Sequence, residues 1–123
     1  QYPHYPGSGS AEEKGRGKGK GYTSNFPMPP GAGDSEYTHV YQKVLPGIMK
    51  EFSPDIVLVS AGYDLRSEDP LAYIKVTAGG IENIVRGILS GADVPAVFCL
   101  EGGYDLGALS DSVFITLKLL VES

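Results

Sequence analysis

Two stretches of this chain end in side chains able to do chemistry. "SAGYD" closes on Asp64 and "EGGY" closes on Tyr104, each after an almost unbroken apolar run. A carboxylate is a hard anionic donor suited to a divalent metal, and a phenol can donate a hydrogen bond to a developing oxyanion. Glycines stand beside both, Gly62 near Asp64 and Gly102 with Gly103 before Tyr104, so backbone can approach a ligand closely there. Ordinary roles compete with these. An Asp after a strand also caps turns and helices, and a Tyr also packs as an aromatic with its hydroxyl at the surface.

Other candidates are poorer. "GRGKGKG" holds neither a P-loop nor a complete G-x-G-x-x-G, and reads as a solvated basic loop. His4 lies in a loop and His39 on a helix, off its apolar stripe, so the two histidines have no metal-ligand spacing. Ser60 lacks the G-x-S-x-G of a nucleophile elbow.

The elements that must position Asp64 and Tyr104 follow from the apolar pattern. "DIVLVSA" and "AVFCLE" are too apolar for half-exposed strands and predict strands covered on both faces, as in a parallel sheet. In such sheets ligands bind beyond the carboxyl ends of the strands, where both residues fall. A helix is expected from a cap at Asp34 or Ser35 to about Phe52. Its apolar face runs from Tyr37 and Val40 through Met49 to Phe52, and Pro46 kinks or splits it. Thr77 caps a second helix over 78–89, with Ile81, Ile84, Val85, Ile88 and Leu89 inward, and 106–122 makes a last amphipathic helix. Residues 1–34 are a Gly/Pro-rich loop region whose one regular piece is a short strand at about 22–26. The alternation over 35–123 indicates an α/β fold, and the whole of 1–123 reads as one domain.

With 123 residues, 41% of them hydrophobic and 20% charged, the chain has the composition of one small globular domain. A net charge of −5 argues against direct nucleic-acid binding. The single Cys99 rules out an internal disulfide and suits a reducing compartment. No apolar stretch reaches a membrane-spanning length, so the expectation is a cytoplasmic protein without a membrane partner.

In order along the chain, "YPGSG", "GKGYTSNFPMPPGAGDSEY", "VLPGIMKEFSPDIVLVSAGYD", "DPL" and "EGGYD" resemble blocks of one family. It is the zinc-dependent histone deacetylases, with their acetylpolyamine amidohydrolase and acetoin-utilisation relatives. The resemblance implies an arginase-like three-layer αβα fold with a mostly parallel sheet, and hydrolysis of an acetylated amine at Zn²⁺. Asp64 matches the family's last metal-binding aspartate, and Tyr104 the tyrosine that stabilises the tetrahedral oxyanion. Gly102 and Gly103 match a wall of the acyl-lysine tunnel, and Tyr5 a tunnel aromatic. Leu71 matches a tunnel-rim position where glutamate marks polyamine-preferring members, so an apolar residue leans to acetyl-lysine or another neutral-tailed substrate. Tyr22 lies where a backbone group helps bind a structural K⁺.

The family's paired histidines and Asp-x-His ligands have no counterpart in this chain. The expectation is therefore the C-terminal portion of a catalytic domain, inert alone, which self-associates or needs a complementing N-terminal portion. The alternative is a non-enzymatic oligomeric or ligand-binding module built on the same fold.

Overall fold

The computed structural model describes residues 6–91 and 93–123. The chain divides into two compact units, Gln1–Pro30 and Gly31–Ser123. In the first unit the one regular element is a single 3₁₀ turn, Gly17–Gly19. The Asn25 amide closes the unit's loops by donating to the Ser10 carbonyl at 2.9 Å and the Glu13 carbonyl at 3.2 Å. The strand expected at 22–26 is not formed. Its β-branched and aromatic composition is real, but a strand needs a ladder partner, and none pairs with it among the described residues.

The second unit carries the α/β pattern. Helix α1 (Asp34–His39) runs through a π-helical turn, Val40–Val44, into α2 (Leu45–Phe52). The π turn sits directly before Pro46, whose missing N–H and bulky ring forbid the regular bond to the carbonyl four residues back. The chain thus splits where the proline predicted a kink. The cap is Gly33 rather than Asp34 or Ser35: its N–H donates to Glu36 Oε2 at 2.9 Å. Asp34 is engaged elsewhere, accepting from the backbone N–H and hydroxyl of Thr77 at 2.8 and 2.6 Å. Those bonds brace the start of α3 (Ala78–Gly91), whose buried face is Ile81, Ile84, Val85 and Ile88.

Strands β1 (Val57–Ala61) and β2 (Ala96–Leu100) pair in parallel, Val57 opposite Ala96 through Ala61 opposite Leu100. Helix α4 (Leu106–Glu122) follows, with the Asp105 carboxylate accepting from Ala108 N–H at 2.8 Å as its cap. Only one face of this sheet is covered. Val59, Ala61 and Phe98 line a cavity of about 70 Å³ together with Ile84, Val85 and Tyr41. On the other face Leu58 is 71% exposed and Val97 44% exposed. The expectation of strands covered on both sides is corrected here: no described element packs over Leu58 and Val97.

The connection over 65–77 is ordered. Ile74 and Val76 are buried while Tyr73 and Lys75 face outward, and two parallel bridges, Gly33 with Lys75 and Arg66 with Val76, hold the segment in place. Among the described residues, no helix is long and apolar enough to cross a membrane.

Candidate functional site

The pairing of β1 with β2 continues past their ends. Glu101 N–H donates to the Ala61 carbonyl at 3.0 Å, and Tyr63 N–H to the Gly102 carbonyl at 2.8 Å. These two bonds bring the loop holding Asp64 against the loop holding Tyr104. Gly102 marks the meeting point: a Cβ there would lie 2.8 Å from Asp64 Oδ2 and 3.5 Å from Tyr104 Cε2. Both side chains are therefore within van der Waals reach of one point over one glycine. Gly103 has a φ of 137°, a conformation open to glycine, and a Cβ there would press on Leu109 Cδ1 at 2.9 Å.

The three aspartates of this region behave differently. Asp105 caps α4, and the buried Asp69 accepts three backbone N–H bonds. Asp64, half-buried, takes no hydrogen bond and no ion pair among the described residues. A turn or helix cap would show a backbone N–H on the carboxylate, so the capping role belongs to Asp105 and not to Asp64.

Tyr104 is 58% exposed and Leu71 56% exposed, both on the surface beside this carboxylate loop. Behind it, Tyr37 and Tyr41 stack with ring centroids 6.5 Å apart. Burial, then the neighbouring Tyr41 and the charge of Asp64, push the Tyr37 phenol up to about 12. Tyr37 thus lies within the electrostatic reach of Asp64, though its sequence position marked it only as part of an apolar stripe.

The loop after β1 is anchored from below. The Tyr63 and Thr116 hydroxyls are 2.8 Å apart in a buried pair, and Thr116 spends its one proton on the Ser112 carbonyl, which makes Tyr63 the donor. Arg66, 4% exposed, donates to Asp111 and to the Ser112 hydroxyl, both at 3.0 Å, and to Glu68 at 2.9 Å. Sequence reasoning missed the Thr116, Asp111 and Ser112 anchors because they lie more than forty positions from Tyr63 and Arg66.

Of the remaining expected site residues, Tyr22 is exposed in the first unit and Tyr5 lies outside the described residues, as does His4. His39 is exposed on α1.

The family model for the histone deacetylase domain matches residues 1–120 of this chain. The chain belongs to the histone deacetylase family. A probable deacetylase of Archaeoglobus fulgidus is 42% identical over 114 residues, covering 89% of this chain and 32% of its own length. Among solved structures, the histone deacetylase Clr3 aligns with a TM-score of 0.90 at 33% identity, over 98% of this chain and 21% of Clr3. The acetylpolyamine aminohydrolase of Burkholderia pseudomallei aligns with a TM-score of 0.82 at 29% identity, over 93% of this chain and 33% of that one. The deacetylase-family α/β fold is thus shared along nearly the whole chain, which spans about a third of the length of the Archaeoglobus relative.

Asp64 offers a free carboxylate beside a cradle that a side chain on Gly102 would fill. No group of three His, Cys, Asp or Glu donors exists among the described residues. A carboxylate such as that of Asp64 can take one position of a catalytic zinc shell, and among the described residues the three protein ligands such a site needs are not assembled.

Proposed function

We propose that this chain is a segment of a zinc-dependent deacetylase acting on acetylated amines of the acetyl-lysine type. In this reading Asp64 is one metal ligand and Tyr104 is the oxyanion donor. The observation that carries it is the meeting over Gly102 of a tyrosine ring and a carboxylate without a partner among the described residues. Zn²⁺, when bound, supplies Lewis-acid polarisation of the acetyl carbonyl. The chain's own part is to present the Tyr104 hydroxyl to the oxygen that gains charge, a contact worth about 3–4 kcal/mol in oxyanion holes. Gly102 and Gly103 leave room for an extended acyl chain, and Leu71 offers an apolar rim to a neutral substrate. A K⁺ site at Tyr22 and a tunnel aromatic at Tyr5 belong to the same reading.

The chain alone is catalytically inert, because one carboxylate is not a zinc site and acid/base work needs a group poised near neutral pH. The test is transplantation. The matching segment of the Archaeoglobus fulgidus probable deacetylase is replaced by this chain, and hydrolysis of a fluorogenic acetyl-lysine peptide is measured with zinc. The chimera is expected to turn over and the isolated chain is not. A chimera that folds and binds zinc yet hydrolyses nothing, beside an active parent, overturns the reading.

One observation favours self-association of the isolated chain. Leu58 and Val97 on the sheet, with Phe114, Leu117 and Val121 on α4, are large apolar groups left exposed. Such surface is covered by a partner when one exists, and by a second copy when none does.

A further inference from the structure

We infer that Asp69 is a positioning residue that holds Tyr104 and Leu71 in fixed relation to each other. The inference rests on the reading of Tyr104 as oxyanion donor for its functional meaning, though not for its geometry. Asp69 is 7% exposed, and its two oxygens serve two different loops. Oδ1 accepts from Leu71 N–H at 2.9 Å and from Ala72 N–H at 3.4 Å. Oδ2 accepts from Tyr104 N–H at 2.8 Å.

The first pair of bonds is ordinary turn chemistry. Pro70 has no N–H, so Leu71 is the first donor the carboxylate can reach after it. An Asn or Ser would close that turn equally well. The second oxygen is what a local turn does not require. The bonding between the loops after β1 and β2 stops with Glu101 and Tyr63, and Tyr104 N–H lies beyond it. Asp69 takes that donor, so the backbone from which the Tyr104 phenol springs is set by a carboxylate from the loop carrying Leu71. Asp69 is itself tethered: its N–H donates to the Arg66 carbonyl at 3.0 Å, and the Arg66 side chain is bound to Asp111 and Ser112 on α4. Only a carboxylate presents acceptors in both directions. An Asn keeps one acceptor and turns an NH₂ towards an N–H on the other side.

The experiment is residue-resolved amide hydrogen exchange on the full chain and on Asp69→Asn. Exchange at Tyr104 is expected to quicken by about tenfold or more in the variant, while Ile84 and Val85 in α3 stay within about twofold. Unchanged protection at Tyr104, or equal loss in α3, overturns the inference, the second because it reports general loosening. A second measurement needs no variant: a through-hydrogen-bond coupling between Tyr104 N–H and the Asp69 carboxyl carbon is expected in the unsubstituted chain, and its absence counts equally against it. Tyr104→Phe separates the two readings. It leaves the backbone bond to Asp69 intact, so it tests the oxyanion role in the chimera without touching the positioning.

Discussion

Tyr63 donates its backbone N–H to the carbonyl of Gly102 at 2.8 Å, joining the loops after β1 and β2 one step beyond the strands themselves. The same tyrosine reaches down with its hydroxyl to Thr116 on α4. One residue therefore fixes the Asp64 loop laterally through its backbone and vertically through its side chain.

Tyr63→Phe keeps the ring and the backbone bond and deletes only the buried donor. Thr116 loses an acceptor role but still donates to Ser112, so no proton is stranded. Destabilisation of about 1 kcal/mol is expected in denaturant unfolding. A loss above about 3 kcal/mol would mean that the pair carries more than one ordinary hydrogen bond.

Gly102→Ala should act on the site and not on the fold. The new methyl would lie 2.8 Å from Asp64 Oδ2, so the carboxylate must move. The melting temperature of the chain is expected to stay within about 2 °C. Turnover of the chimera is expected to fall by about a hundredfold, the scale of an ångström's misplacement.

Acid should weaken one anchor selectively. The Arg66 hydrogen bond, and then the Ser67 hydroxyl, hold the Glu68 carboxyl down at about 2 against its ordinary 4.5. A depressed carboxyl contributes stability that is complete above pH 4.5 and lost as pH falls from there through about 2. Glu68 is half-exposed, so solvent screening keeps the effect to about 1 kcal/mol or less. Unfolding curves across that window should lose this component in Glu68→Gln. A Glu68→Gln acid limb identical to the parent's would show that the pair contributes nothing.

The exposed apolar faces predict association. Light scattering on the isolated chain should give a mass above that of one copy, falling when Leu58 and Phe114 are replaced by Lys. A monodisperse monomer at all concentrations contradicts the proposal.

Much of this is legible in the sequence alone. The strands and α4 lie where their apolar runs placed them, because their limits are local: Asp105 caps α4, and Gly62 and Gly102 follow the strands. The site-bearing loops were legible too, as strand ends rich in glycine. Other features depend on partners distant in sequence. Ser112 and Thr116 look like the polar side of an amphipathic helix, yet they are buried because Arg66 and Tyr63 bind them. Phe114 and Leu117 look like its core face and stay exposed. "YIKV" at 73–76 did carry a signal, since alternate residues are apolar, and Ile74 with Val76 form that buried side. Asp69 was visible only as part of a turn, and its second oxygen gave no sign in the sequence.

The central claim is that Asp64 and Tyr104 serve one hydrolytic pocket, and a double-mutant cycle in the chimera tests it most directly. Asp64→Asn and Tyr104→Phe are each expected to lower kcat on an acetyl-lysine peptide, the latter by about 10²–10³. Residues acting as a unit are not additive, so the double variant should be little worse than the worse single one. Losses that multiply in full, or a Tyr104→Phe chimera with undiminished turnover, would contradict a shared site.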